Sequence, residues 1–148
     1  MSLGRMGGVY AALHAGHQVG DMWVQTDWCA QVKGKPGKDG QRACAIHVAT
    51  LTATQGVFLA MACIATGERL SARRVAAGLA VNAASHYVMD RRDHGVMPHL
   101  CRALRGYGKE DFAQVGKGSL ASGAALLDQA WHIGWLAISA AIITGKKD

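Results

Sequence analysis

From Ala43 to Gly67 the chain runs 25 residues without an Asp, Glu, Lys or Arg. A helix rises about 1.5 Å per residue, so about 20 mostly apolar residues are enough to cross the hydrocarbon of a bilayer. This run is therefore the best candidate span in the chain. Elsewhere the membrane signal is weaker: half of the residues are apolar, yet the mean hydropathy is only +0.08. Nineteen glycines and 6% aromatic residues suit helices that approach one another closely through small side chains. With 148 residues, a single helical membrane domain spanning 1–148 is expected.

Four helices are read from the apolar segments and their punctuation. The first begins near Val9 and ends before Gly34-Lys35-Pro36-Gly37-Lys38-Asp39-Gly40, which reads as a loop. The second covers about Arg42 to Thr66, with Gly67 as its stop and Ser71 as the cap of the next. The third runs from about Ala72 to Asp90, and its apolar part is short for a full span. The fourth covers roughly Ser119 to Thr144. Between the third and fourth, Pro98 followed by Leu100, Cys101 and Leu104 marks a short amphipathic helix at the membrane surface, with Arg102 and Arg105 on its wet side. Gly106, Gly108, Gly116 and Gly118 then mark loop. The fold class expected is all-α: a four-helix membrane bundle with an interfacial helix between helices 3 and 4.

The formal charge of +6 comes from basic residues dispersed among the connections, not from a continuous stripe. Nucleic acid is thereby excluded as the expected partner and membrane lipid favoured, with homo-oligomerisation left open. If all four helices span, the connections after the first and third carry ten Lys or Arg (33, 35, 38, 42, 91, 92, 102, 105, 109, 117) against six on the other side. The excess of positive charge places those two connections in the cytoplasm and the protein in the inner membrane as a multi-pass chain. Cys29, Cys44, Cys63 and Cys101 lack any zinc-ribbon spacing and read as small buried hydrophobes. Trp23, Trp28, Trp131 and Trp135 read as interfacial anchors or core.

Function is carried by histidines and carboxylates set one helical turn apart inside these apolar segments. His17 precedes Asp21, His86 precedes Asp90, and Asp128 precedes His132, each by four residues, so each pair shares one helix face. Random placement of seven His and ten acids would give roughly one such pair; there are four, counting Asp90 with His94. His47 adds an imidazole on the remaining helix. In an antiparallel bundle the late first helix, the early second, the late third and the early fourth lie at one depth, so the seven groups can meet. His17, Asp21, His47, His86, Asp90, Asp128 and His132 are accordingly the expected ligands of one or two divalent ions. Zinc is the first choice, with manganese or iron as alternatives, because the donors are mixed nitrogen and oxygen without thiolate. Gln25, Asp27 and Gln129 are expected to support the ligands from behind. For one pair alone a self-satisfied hydrogen bond would be the simpler account. Three pairs plus His47 on four apolar helices favour metal or proton chemistry, since buried ionisable groups are costly in a membrane. His14, His94 and His99 read as surface or packing residues.

The ordered motifs His17-Gln-Val-Gly-Asp21-Met-Trp-Val-Gln25-Thr-Asp27-Trp28-Cys-Ala30-Gln-Val-Lys33, His47, Ser85-His86-Tyr-Val-Met-Asp90 and Asp128-Gln129-Ala-Trp-His132 resemble a family of small bacterial and phage membrane proteins, domain of unknown function three-three-zero-seven. The resemblance covers residues 9 to 143 and implies a helical integral membrane protein without assigning an activity. A more distant similarity is to membrane-bound metal-dependent hydrolases, which also place His and Asp on successive membrane helices. Met22 follows Asp21 where an aromatic residue is common in the family. The expected function is a membrane-embedded metal-dependent hydrolase acting on a phosphoester or lipid-linked substrate, with an uncoordinated carboxylate as general base. The alternative is a non-enzymatic small membrane protein, a phage-type effector or an ion or proton carrier, holding a buried His/Asp network.

Overall fold

The computed structural model describes residues 2–91, 94–118 and 121–145, and every regular element among them is helical. Helix α1 (Leu3–Val19) starts where Ser2 Oγ accepts the Arg5 N–H at 3.2 Å. It therefore begins a turn and a half before the expected Val9. It also does not continue to Gly34: the chain widens into a π turn over Gly20–Val24, becomes extended at Gln25, and restarts as α2 (Asp27–Val32). Two local features account for the break. Thr26 caps α2 by accepting the Cys29 N–H, and Asp27 places a carboxylate in the first turn of α2, where the helix dipole favours it.

Helix α3 (Gly37–Thr66) begins inside the stretch expected to be loop and runs for 30 residues, about 45 Å. Gly67 ends it in the left-handed conformation, φ 70°, which glycine adopts without a Cβ penalty. Helix α4 covers Ala72–Asp90; Ser71 sits at its N-cap position but makes no side-chain cap bond. The short helix α5 (Met97–Ala103) has Pro98 in its first turn, with Cys101 buried and Arg102 exposed. The glycine-dotted stretch beyond it contains a 3-10 turn (Arg105–Tyr107) and helix α6 (Lys109–Gln114), which the glycines had concealed. Helix α7 (Gly123–Thr144) starts at a Ser122 cap that accepts the Ala125 N–H; the expected start at Ser119 lies outside the described residues.

The four long helices pack around a ring, α1 on α3, α3 on α4, α4 on α7 and α7 on α1. Direction alternates, so one end of the ring collects the start of α1, the end of α3, the start of α4 and the end of α7. That end is apolar: Val9, Leu13, Leu59, Leu136, Ala140 and Ile143 form the core. Midway, Asn82 donates to Gln55 Oε1 at 2.9 Å, and both side chains are buried. At this level α1 meets α3 through Gly16, where an added Cβ would lie 2.7 Å from Gln55 Cα. Ser139 Oγ donates to the Gly78 carbonyl at 2.7 Å, joining α7 to α4. The opposite end holds the titratable side chains. Among the described residues two helices, α3 and α7, are long and apolar enough to cross a membrane, and only 22% and 28% of their most apolar windows are buried. Val57, Met61 and Ile64 on α3 face outward.

Candidate metal centre

The polar end of the ring brings six of the seven expected ligands into one buried cluster. His17, His47, His86, Asp90 and His132 are at most 2% exposed, and Asp21 is partly covered, with 9% of its side chain exposed. Asp128, with 26% of its side chain exposed, forms the rim. Each helical pair survives, though unevenly: His86 Nε2 lies 3.0 Å from Asp90 Oδ2, His132 Nε2 lies 3.4 Å from Asp128 Oδ2, and His17 Nε2 lies 3.6 Å from Asp21 Oδ2.

Contacts between helices are tighter and more informative. His47 Nε2 of α3 faces His86 Nε2 of α4 at 3.0 Å, and Asp21 Oδ1 lies 3.1 Å from the first and 3.8 Å from the second. Ligands about 2.0–2.1 Å from a tetrahedral zinc stand about 3.3 Å from one another, so these three atoms have the spacing of one face of such a polyhedron. Asp21 Oδ1 approaches His47 Nε2 at 3.1 Å as an ion-pair contact and makes no hydrogen bond among the described residues. His17 Nδ1 and Nε2, His47 Nδ1 and His132 Nε2 share that condition. Buried polar atoms are seldom left unpaired in a folded protein, and Asp21, His47 and His132 among these belong to groups that could hold a metal ion. A second, overlapping triad is His86, Asp90 and His132, with His132 Nε2 at 3.8 Å from Asp90 Oδ1.

Among the residues expected to support the ligands, Gln129 donates from Nε2 to Asp21 Oδ2 at 3.2 Å. Gln25 and Asp27 lie off the face of the ligands. Both were placed on the continuation of α1, and the extended backbone at Gln25 takes them off that face: Gln25 Nε2 is buried without a partner and Asp27 is exposed. Trp131 is held by a bond from its Nε1 to Ser85 Oγ at 2.9 Å, beside His86, whereas Trp23 is 86% exposed where the π turn pushes it outward.

Two basic residues counted among the wet connections belong to the site. Lys33 is 6% exposed and its Nζ donates to Asp90 Oδ2 at 2.8 Å. Arg91, also buried, donates to the carbonyls of Lys33 at 2.6 Å and Lys35 at 2.9 Å, clamping the turn from which Lys33 enters. Gly40 completes the seat, since a Cβ there would strike the Lys35 carbonyl and the Arg91 guanidinium. Nothing in the local sequence separates Lys33 from a solvated lysine at a helix end; its place at the close of the first motif is the one signal that could have marked it. Lys33 neutralises Asp90 directly, and the buried Arg91 guanidinium keeps its charge while donating to carbonyls. The ion-pair neighbours of Asp21 among the described residues are histidines, so a metal ion or a proton on an imidazole is what would pair with it.

Comparison with protein-family models, with curated proteins and with solved structures returned no match.

Proposed function

We propose that this chain is a multi-pass helical protein of the bacterial inner membrane that holds a divalent ion in its His/Asp cluster and uses it for hydrolysis. The single observation carrying this is the convergence of Asp21, His47 and His86, from three segments of the chain, at the spacing of one coordination face. Zinc is the first candidate, with manganese or iron as alternatives. A divalent ion with an open position lowers the pKa of its water to about 7 and so supplies a nucleophile near neutral pH. Asp90, held by Lys33 and within 3.1 Å of both His47 and His86, is the carboxylate positioned to accept a proton. Asp128 at the exposed rim marks the side from which water and substrate would enter.

The membrane part of the proposal is supported by the outward apolar faces of α3 and α7 and by the likeness of the motif order to the small membrane-protein family named above. The cluster end coincides with the connections that carry most of the basic residues, which puts it on the cytoplasmic side. Exposed Trp23 and half-exposed Trp28 at that end would sit among headgroups. Those basic connections also favour an anionic substrate, a phosphoester or a lipid-linked phosphate.

A second reading, a closed proton or ion relay without hydrolysis, is favoured by the Lys33–Asp90 pair, which neutralises one carboxylate from within. The discriminating experiment is phosphodiester turnover by detergent-purified protein loaded with zinc, manganese or iron, using bis-p-nitrophenyl phosphate and a phospholipid. Turnover that is lost in Asp21→Asn while the protein remains folded supports the hydrolase. Absence of turnover with every ion, together with histidine-dependent proton flux in liposomes, would establish the relay in its place.

A further inference from the structure

The two triads overlap, and only one feature of the cluster distinguishes them. Asp21, His47 and His86 make one; His86, Asp90 and His132 make the other. Both depend on His86, and a ring nitrogen has one lone pair, so through a given nitrogen it serves one ion at a time. The carboxylates differ in what already holds them. Asp90 carries the Lys33 ammonium at 2.8 Å, in a pair whose two side chains are 8% and 3% exposed. Asp21 receives the neutral amide of Gln129, and its ion-pair neighbours among the described residues are histidines.

We propose that Lys33 is a tethered cation that selects the metal site, directing the ion to Asp21–His47–His86 and keeping Asp90 as an unligated carboxylate. The inference rests on the metal-binding part of the proposed function. An ion in the second triad would share Asp90 with the ammonium 2.8 Å from it and be repelled by that charge in a buried cluster, where charges are weakly screened. The ammonium cannot easily leave. Arg91 fixes the Lys33 and Lys35 carbonyls, Gly40 lets that turn lie flat against the end of α4, and the Lys33 side chain is buried throughout. Lys33 is thus a positioning residue: its ion-pair partner among the described residues is Asp90, and it acts chiefly through that carboxylate.

Cobalt(II) serves as the probe, because its visible absorption reports both affinity and ligand geometry. Binding is measured on detergent-purified full-length protein for wild type, His132→Gln, Lys33→Gln and the double variant, with Lys33→Arg as the conservative control. With Lys33 or Arg at position 33, His132→Gln should change affinity by less than about threefold; in the Lys33→Gln background it should cost more than about tenfold. The cobalt spectrum of Lys33→Gln should also differ from wild type, and that of Lys33→Arg should not. An equal effect of His132→Gln in both backgrounds overturns the selector role while leaving the metal site intact. Failure of wild type to bind cobalt, zinc, manganese or iron overturns the metal site itself. If Lys33→Gln does not fold, the same inference is tested in the wild-type and Lys33→Arg backgrounds by His132→Gln, which should leave affinity within about threefold, against His47→Gln, which should lower it more than about tenfold; the reverse order overturns it.

Discussion

Replacing Gly16 by alanine puts a methyl group where the α1–α3 contact has no room for one. The added Cβ would lie 2.7 Å from Gln55 Cα and 3.2 Å from both Gln55 N and Thr54 O, all of them backbone atoms that cannot rotate aside. Carbon atoms rest comfortably at about 3.5–4.0 Å, so the two helices must separate by about 1 Å at this level. Strain of this kind costs about 1–3 kcal/mol. The effect should also reach the site, since Asp21 Oδ1 and His47 Nε2 bridge the same two segments at 3.1 Å, and ligand constellations tolerate only about 0.5 Å of misplacement. Cobalt affinity should therefore fall by about tenfold with the ligands themselves untouched. Gly56 supplies the control. It lies on α3 with nothing within 4 Å of its added Cβ, so Gly56→Ala should stabilise the helix by about 0.5–1 kcal/mol and leave binding unchanged. Thermal unfolding in detergent and cobalt titration on both variants make the comparison. If Gly16→Ala is as stable as Gly56→Ala and binds metal like wild type, the close approach of α1 to α3 is refuted.

Other parts of the structure make their own predictions. Lys33→Met should destabilise the protein by about 3 kcal/mol because Asp90 loses its buried ammonium and keeps only histidine neighbours, whereas Lys33→Met with Asp90→Asn should recover much of the loss; denaturation midpoints of the three proteins test this. Metal affinity should fall as pH is lowered, since protons compete with the ion for the imidazoles of His47 and His86, and binding should release protons in weakly buffered solution; an affinity flat between about pH 8 and about pH 5.5 would contradict histidine ligands. Ser122→Ala should cost about 1 kcal/mol through loss of the cap that accepts the Ala125 N–H, measured by thermal unfolding.

The helices and the residues at their centre were legible in the sequence because each rested on a periodic signal. Four-residue spacing put His17 with Asp21, His86 with Asp90 and Asp128 with His132, and alternation of helix direction made one shared depth available to all of them. The charge-free run from Ala43 and the stop at Gly67 likewise marked α3 to its end. Where the sequence misled, a tertiary contact or a local cap overrode the pattern. The stripe through His17, Asp21 and Gln25 suggested one long helix, but the π turn at Gly20–Val24 and the Thr26 cap redirect the chain after Asp21, carrying Asp27 away from the cluster. Gly37 and Gly40 read as loop residues, yet they open α3, and Gly40 is needed there because Lys35 and Arg91 press against it. Lys33 and Arg91 looked like solvated charges at helix ends. Their burial follows from the seating of one turn on the end of α4, a long-range contact without any local periodicity to announce it.

The central claim is that Asp21, His47 and His86 hold one divalent ion, and metal content measures it most directly. Detergent-purified wild type and Asp21→Asn, each incubated with zinc and freed of excess by gel filtration, are analysed by inductively coupled plasma mass spectrometry beside their thermal unfolding. About one zinc per wild-type chain and little in a folded Asp21→Asn is the predicted result. Equal zinc in the two proteins, or none in wild type after incubation with zinc, manganese or iron in turn, would contradict it.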